Sequence, residues 1–352
     1  MRSSAVHESG YIEIGGIPQW VQIRGDDAEN PVLLFLHGGP GASAIELGAV
    51  WRQWEKDFTI VHWDQRGAGR TFKKNGSHLG ELMTIQQMAN DGLQLVEFLC
   101  GRLRARRIIL VGHSWGSVIG IRMIRTKPDL FSAFVGAAQI TNTRRNGALR
   151  YQKLVAALQT QGNAKAVRRL EQIGPPPYGP EHSKWAVFNS LSALERHAYN
   201  HRERDLRSFS GFRHYFLALA SRITLALIAI MPATITGCYL AFSTVQALAA
   251  LLSADQRGSR FSWQQIIISN GEFEHIDLPS TDLKFEVPIF FFSGTHDQLT
   301  PIEFAEEYLG LLDAPHKELV RFERRGHFFL FNASGKFFAE LSCRVRPHAL
   351  RS

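Results

Sequence analysis

The chain has 352 residues, 45% of them hydrophobic, and carries 40 Lys+Arg against 32 Asp+Glu for a net charge of +8. That length supports one large core domain with an inserted subdomain and argues against two unrelated domains. The basic residues are scattered through "GRLRARR", "TRRNGALR", "RERDLR" and "RFERR", outside any recognisable nucleic-acid-binding module, so they read as a solvated surface and no nucleic-acid partner is expected.

Short apolar runs separated by helical patterns recur through the first 140 residues, which predicts strand, helix, strand units and a mostly parallel sheet. "YIEIGG" and "QWVQIRG" form an opening hairpin. "PVLLFLHGG" and "FTIVHWDQRG" are buried strands that each end in a glycine turn, and "IQQMANDGLQLVEFL" is an amphipathic helix. The strand Ile108 to Val111 then runs into Gly112-His113-Ser114-Trp115-Gly116, followed by a helix stopped by Pro128 and the strand "AFVGAAQ". From residue 141 to about 283 the pattern is helices and loops, broken by "GPPPYGP" at 174 to 180. Alternation returns with "VPIFFFSGTHD", the helix "PIEFAEEYLGLL", the strand "KELVRF" and a C-terminal helix around "GKFFAELSCRV". The division expected is a core from 1–140 and 284–352 with a helical cap, or lid, at 141–283.

Within that cap, the uncharged stretch from Ile223 to Ala254 is long enough to span a bilayer. Pro232 and Gly237 interrupt it, and Thr224, Thr234, Thr236, Ser243, Thr244 and Gln246 dilute it, which favours buried cap helices over a cap resting on a membrane. Cys100, Cys238 and Cys343 are odd in number, far apart and in no metal-ligand spacing, so neither a disulfide framework nor a metal site is expected. The start "MRSSAVHESGYIEIGG" lacks the pattern of a secretory signal, and a cytoplasmic protein is expected.

The glycines two before and two after Ser114 let a strand and a helix approach closely while the serine occupies a strained turn, the arrangement of a nucleophile elbow. Trp115 opens the helix, so its backbone N–H can donate to a developing oxyanion. A second donor is expected from His37-Gly38-Gly39-Pro40-Gly41, at the end of a buried strand, with Gly39 the candidate. Serine needs a histidine base and an orienting carboxylate, which in such a sheet follow later strands in the order serine, acid, histidine. Of 14 histidines, His327 after "LVRF" fits the base, and Asp297 after "PIFFFSG" fits the acid. Asp313 ends a helix and is the weaker acid; His113 should point away from the serine, and His37 should brace its own loop.

"HGGPG", "DQRGAGRT" and "GHSWGS" together resemble the proline iminopeptidase group of α/β-hydrolases, and "GTHD" and "GHF" are similar to its later catalytic segments. The resemblance covers both core segments. It implies an α/β-hydrolase fold, a mostly parallel sheet with helices on both faces and an inserted helical cap, and a metal-free, cofactor-free acyl transfer. It also implies that Asp64, Gln65, Arg66 and Gly67 form a supporting turn beside the oxyanion loop.

The cap departs from that group. Its Trp-x-x-Trp-Glu segment, whose glutamate helps to bind a substrate's free amino terminus, is replaced here by "KWAVFNSLSALE" and "GPPPYGP". A charged amine in a water-poor site still requires a carboxylate. Glu272 and Glu274, which flank an aromatic in "SNGEFEHIDLP" with no adjacent base, are the candidates for binding it. The expected function is therefore a serine hydrolase that releases an N-terminal residue from small peptides. The alternatives are a carboxylesterase or related acyl hydrolase with an apolar substrate, and a non-catalytic binding protein, which would normally have lost a member of the triad.

Overall fold

The computed structural model describes residues 5–45, 48–79, 83–179, 181, 183–191, 258–259, 261–262, 265–266 and 271–350. The opening hairpin pairs β1 (Val6–Ile14) with β2 (Ile17–Gly25), turning at Gly15 and Gly16, whose φ values of 58° and 74° suit residues without a Cβ. β2 runs antiparallel to β4 (Thr59–Trp63). Beyond it β3 (Val32–Leu36), β5 (Ile108–His113), β6 (Phe131–Ala137), β7 (Ile289–Gly294) and β8 (Lys317–Phe322) continue in parallel. The result is one 8-stranded sheet in the order β1-β2-β4-β3-β5-β6-β7-β8.

Every residue of β3 to β7 is buried, as expected of parallel strands covered on both faces. Alternate side chains divide between two cores. Leu34, Leu36, Val61 and Leu110 pack with Met88 and Leu95 of α2 (Ile85–Leu103) and Ile119 of α3 (Trp115–Thr126). Leu33, Phe35, Ile60 and Ile109 face the other side, against Trp51, Trp54 and Phe337. Each such side chain contributes about 2 kcal/mol by leaving water. A short helix, α1 (Gly69–Asn75), precedes α2, whose first turn is capped by Thr84 Oγ1 accepting from the Gln87 N–H at 3.0 Å. After β7 come α6 (Ile302–Leu311) and, beyond β8, α7 (Ser334–Glu340), which continues into a π-helical turn at Leu341–Val345.

Between β6 and β7, α4 (Thr143–Thr160) and α5 (Ala164–Ile173) begin on asparagine caps. Asn142 Oδ1 accepts from Arg145 N–H at 2.9 Å, and Asn163 Oδ1 from Ala166 N–H at 3.1 Å. Leu154, Leu158 and Leu170 bury against Tyr178 and Phe188 in a third core of their own. The stretch from Ile223 to Ala254 lies outside the described residues. Among the described residues no helix is long and apolar enough to cross a membrane.

Candidate active site

Ser114 follows the C-terminal end of β5 and adopts φ 52°, ψ −115°, a conformation an L-residue keeps only when its surroundings hold it, at a cost of about 1–3 kcal/mol. The holding groups are explicit. Ser114 N–H donates to Ala137 O at 2.9 Å, and Ser114 O accepts from Ser117 N–H at 2.9 Å and Ser117 Oγ–H at 2.5 Å. The flanking glycines are required by clearance. A Cβ on Gly112 would lie 2.5 Å from Gly116 O, and one on Gly116 would lie 2.3 Å from Leu36 O.

Asp297 and His327 follow β7 and β8, at the same C-terminal edge of the sheet as the end of β5, where open parallel sheets bind their ligands. Their two loops touch through His296 N–H donating to Arg325 O at 2.9 Å, and a Cβ on Gly294 would stand 2.3 Å from that same oxygen. His327 Nδ1 sits 2.8 Å from Asp297 Oδ2. The carboxylate also accepts from Leu299 N–H at 2.7 Å, Thr300 N–H at 2.9 Å and Thr300 Oγ–H at 2.6 Å. Burial by itself would push this carboxyl up, but the adjacent His327 and the Thr300 hydrogen bonds outweigh it and hold it below its usual value. Asp297 is thus a buried, ionised partner of His327 Nδ1, and the other ring nitrogen, Nε2, is not engaged by this carboxylate. Ser114, His327 and Gly39 line one cavity of about 220 Å³.

His113 does not serve the serine. Its Nε2 lies 3.0 Å from His327 O, and burial, with His327 nearby, lowers its pKa to about 3, so it is a neutral brace for the loop that carries His327. His37 braces the His37–Gly41 loop: its Nε2 accepts from Gln65 N–H at 3.2 Å, and Gln65 Nε2 donates to His37 O at 3.1 Å. That tautomer places the proton on Nδ1, which donates to Gly38 O at 2.9 Å. Next to it Arg66 pairs with Asp91 at 2.9 Å, both side chains fully buried, and donates to Gly15 O at 2.8 Å, so the "DQRG" turn ties the hairpin and α2 to the loop. Gly39 has φ 121°, open to glycine alone, and Trp115 is the first residue of α3, where no intrahelical acceptor exists for its N–H.

A second cavity, of about 150 Å³, meets the first at Ser114 and Gly39. Its walls include Trp185, Phe188 and Phe273, with Arg144, Arg150 and Glu274 as the charged groups among the described residues. The two glutamates part here. Glu274 lines this cavity and accepts from Gly179 N–H at 2.9 Å, whereas Glu272 is turned to the start of α2, where its Oε2 accepts from Ile85 N–H at 2.7 Å. A carboxylate at a helix N-terminus already has a structural partner, and Glu272 does not line the cavity that holds Ser114. The residues missed in the sequence are Thr300 and Ser117. Thr300 was legible in principle, because an aspartate followed by a threonine in the next turn is a common local hydrogen-bonding motif.

The chain belongs to the α/β-hydrolase fold family, whose sequence model matches residues 31–334. Its relatives bear out the resemblance to proline iminopeptidases. The probable aminopeptidase YbaC of Bacillus subtilis is 28% identical over 338 residues, covering 96% of both chains. The proline iminopeptidase of Thermoplasma volcanium is 28% identical over 121 residues, 34% of this chain and 39% of that one. Among solved structures, the proline iminopeptidase-related protein TTHA1809 of Thermus thermophilus superposes with a TM-score of 0.59 at 19% identity, over 98% of each chain, a likeness of fold.

Proposed function

We propose that this α/β hydrolase works through a serine acyl-enzyme and releases an N-terminal residue from small peptides. The observation that carries the mechanism is the 2.8 Å contact of His327 Nδ1 with Asp297, in a cavity shared with the strained Ser114. Ser114 Oγ attacks the carbonyl carbon as His327 Nε2 takes its proton. The N–H groups of Gly39 and Trp115 hold the oxyanion, each worth about 3 kcal/mol in the transition state. Collapse breaks the bond to the leaving nitrogen, which receives the proton from His327, and a water activated by the same imidazole then frees the acid. Residues 141–283 would form the cap over this site.

The peptidase reading rests on Glu274. It lines the cavity beside Ser114 and would receive the substrate's ammonium group, and about 150 Å³ suits a small acyl residue such as proline. The esterase reading has its own support, since among the described residues two guanidiniums and three aromatic rings share that cavity with a single carboxylate. Two experiments decide between them. An organophosphate should label the wild type and leave Ser114→Ala unlabelled, with turnover down by about four to six orders of magnitude; labelling at another serine refutes the mechanism. Glu274→Gln should raise KM for a prolyl arylamide tenfold or more (order of magnitude for a lost charged hydrogen bond) and spare a p-nitrophenyl ester. A wild type that cleaves esters but no aminoacyl arylamide establishes the esterase.

A further inference from the structure

Ser114 stands where two chemically different cavities meet, and only one of them contains His327. That asymmetry has a chemical meaning. When the tetrahedral intermediate collapses, the proton travels from His327 Nε2 to the departing nitrogen or oxygen, so the leaving group must lie on the His327 side. The acyl part, bonded to Ser114 Oγ, extends the other way, toward Glu274.

We infer that the cavity between His327 and Phe331 is the leaving-group site and that it selects substrates whose residue after the scissile bond is apolar and large, with an aromatic side chain the best fit. This deepens the serine-hydrolase reading above and rests on it. Phe35, Ala44, Phe328 and Phe331 supply apolar walls, and the volume is about 220 Å³. An apolar cavity of roughly 150 Å³ accepts a benzene ring, so a benzyl side chain fits with room for its connecting atoms. Among the described residues that line it there is no Asp, Glu, Lys or Arg. Its other histidines, His37 and His113, are lowered by burial to about 4 and about 3 and remain neutral at ordinary pH. A charged leaving residue would lose its hydration there without gaining a partner, and is disfavoured.

The test holds the prolyl acyl part constant and varies what departs: glycinamide, phenylalaninamide and aspartic acid α-amide, whose side-chain carboxylate stays free and charged, with methyl and benzyl esters in parallel so that a peptidase and an esterase are both read. In the wild type, kcat/KM should rise about tenfold or more from glycinamide to phenylalaninamide and from methyl to benzyl, with the aspartyl compound poorest. Ala44→Leu, which fills the cavity, should bring both ratios close to one. The ratio of prolyl to alanyl substrates with one common leaving group should stay within about twofold, because selection of the acyl part lies in the other cavity. Ala44→Val, a smaller addition of volume at the same wall, repeats the readout if Ala44→Leu does not fold. Equal rates for small and aromatic leaving groups in the wild type overturn the inference, as does a shift of the acyl ratio in place of the leaving-group ratio. Failure of the underlying mechanism looks different: no amide or ester is cleaved and Ser114 takes no label.

Discussion

At the residue scale, the pair formed by Asp297 and His327 separates position from identity. An isosteric Asn at 297 keeps the hydrogen-bonding shape but removes the charge and invites the wrong imidazole tautomer, so Asp297→Asn should lower kcat by about four orders of magnitude. Its circular dichroism should match that of the wild type. Thr300→Val removes the 2.6 Å hydroxyl contact that helps to hold the carboxylate, and a loss of about tenfold in kcat is expected, consistent with one hydrogen bond to a charged group. Asp313→Asn should change little; if it disables the enzyme while Asp297→Asn does not, the acid lies on the other loop. Asp297 could be chosen from the sequence because it follows a buried apolar run. Thr300 is local to Asp297 and legible in principle, whereas the bracing role of His113 exists only where the end of β5 meets the loop after β8.

At the scale of the element, β5, the turn at Ser114 and α3 act as one unit, because the helix can start so abruptly only when its first turn packs directly onto the strands. Gly116 is where the clearance is smallest. A methyl group there would stand 2.3 Å from Leu36 O, a backbone atom of a central strand that cannot give way as a flexible side chain would. Gly116→Ala should therefore destabilise the fold by about 3 kcal/mol, read as a lower midpoint of urea unfolding, and should disturb Ser114 at the same time. Gly335 offers the control: nothing lies within 4 Å of its Cβ position, and Gly335→Ala should leave the midpoint unchanged or slightly raised. The elbow was legible because its glycine spacing sits between a strand and a helix. The division of labour between Glu272 and Glu274 was not, since two residues apart on one short turn they face different elements.

At the scale of the whole molecule, burial of neutral histidines sets the response to acid. His37, His62 and His113 are lowered to about 4, about 3 and about 3, mainly by burial, from an unfolded value of 6.5. Between those limits the unfolded chain binds more protons than the native one, so stability falls with falling pH, by up to about 1.4 kcal/mol per pH unit for each histidine. Asp297, held low, loses its contribution only further into acid, as pH drops through its depressed folded value. The melting temperature should be level above about pH 7 and drop steeply below about pH 6; a level profile down to pH 5 would contradict the burial of these rings. The sequence by itself determined what short-range pattern can carry: the alternation of buried strands and amphipathic helices, the glycine turns, and the chain order of Ser114, Asp297 and His327. The tertiary structure decided what depends on distant segments meeting. It brought Glu274 and Ser114 to the walls of one cavity, tied Glu272 to the start of α2, and divided the space around the serine into a chamber with His327 and one with Glu274. Periodicity and spacing are local properties of a chain, whereas a cavity belongs to none of the segments that line it.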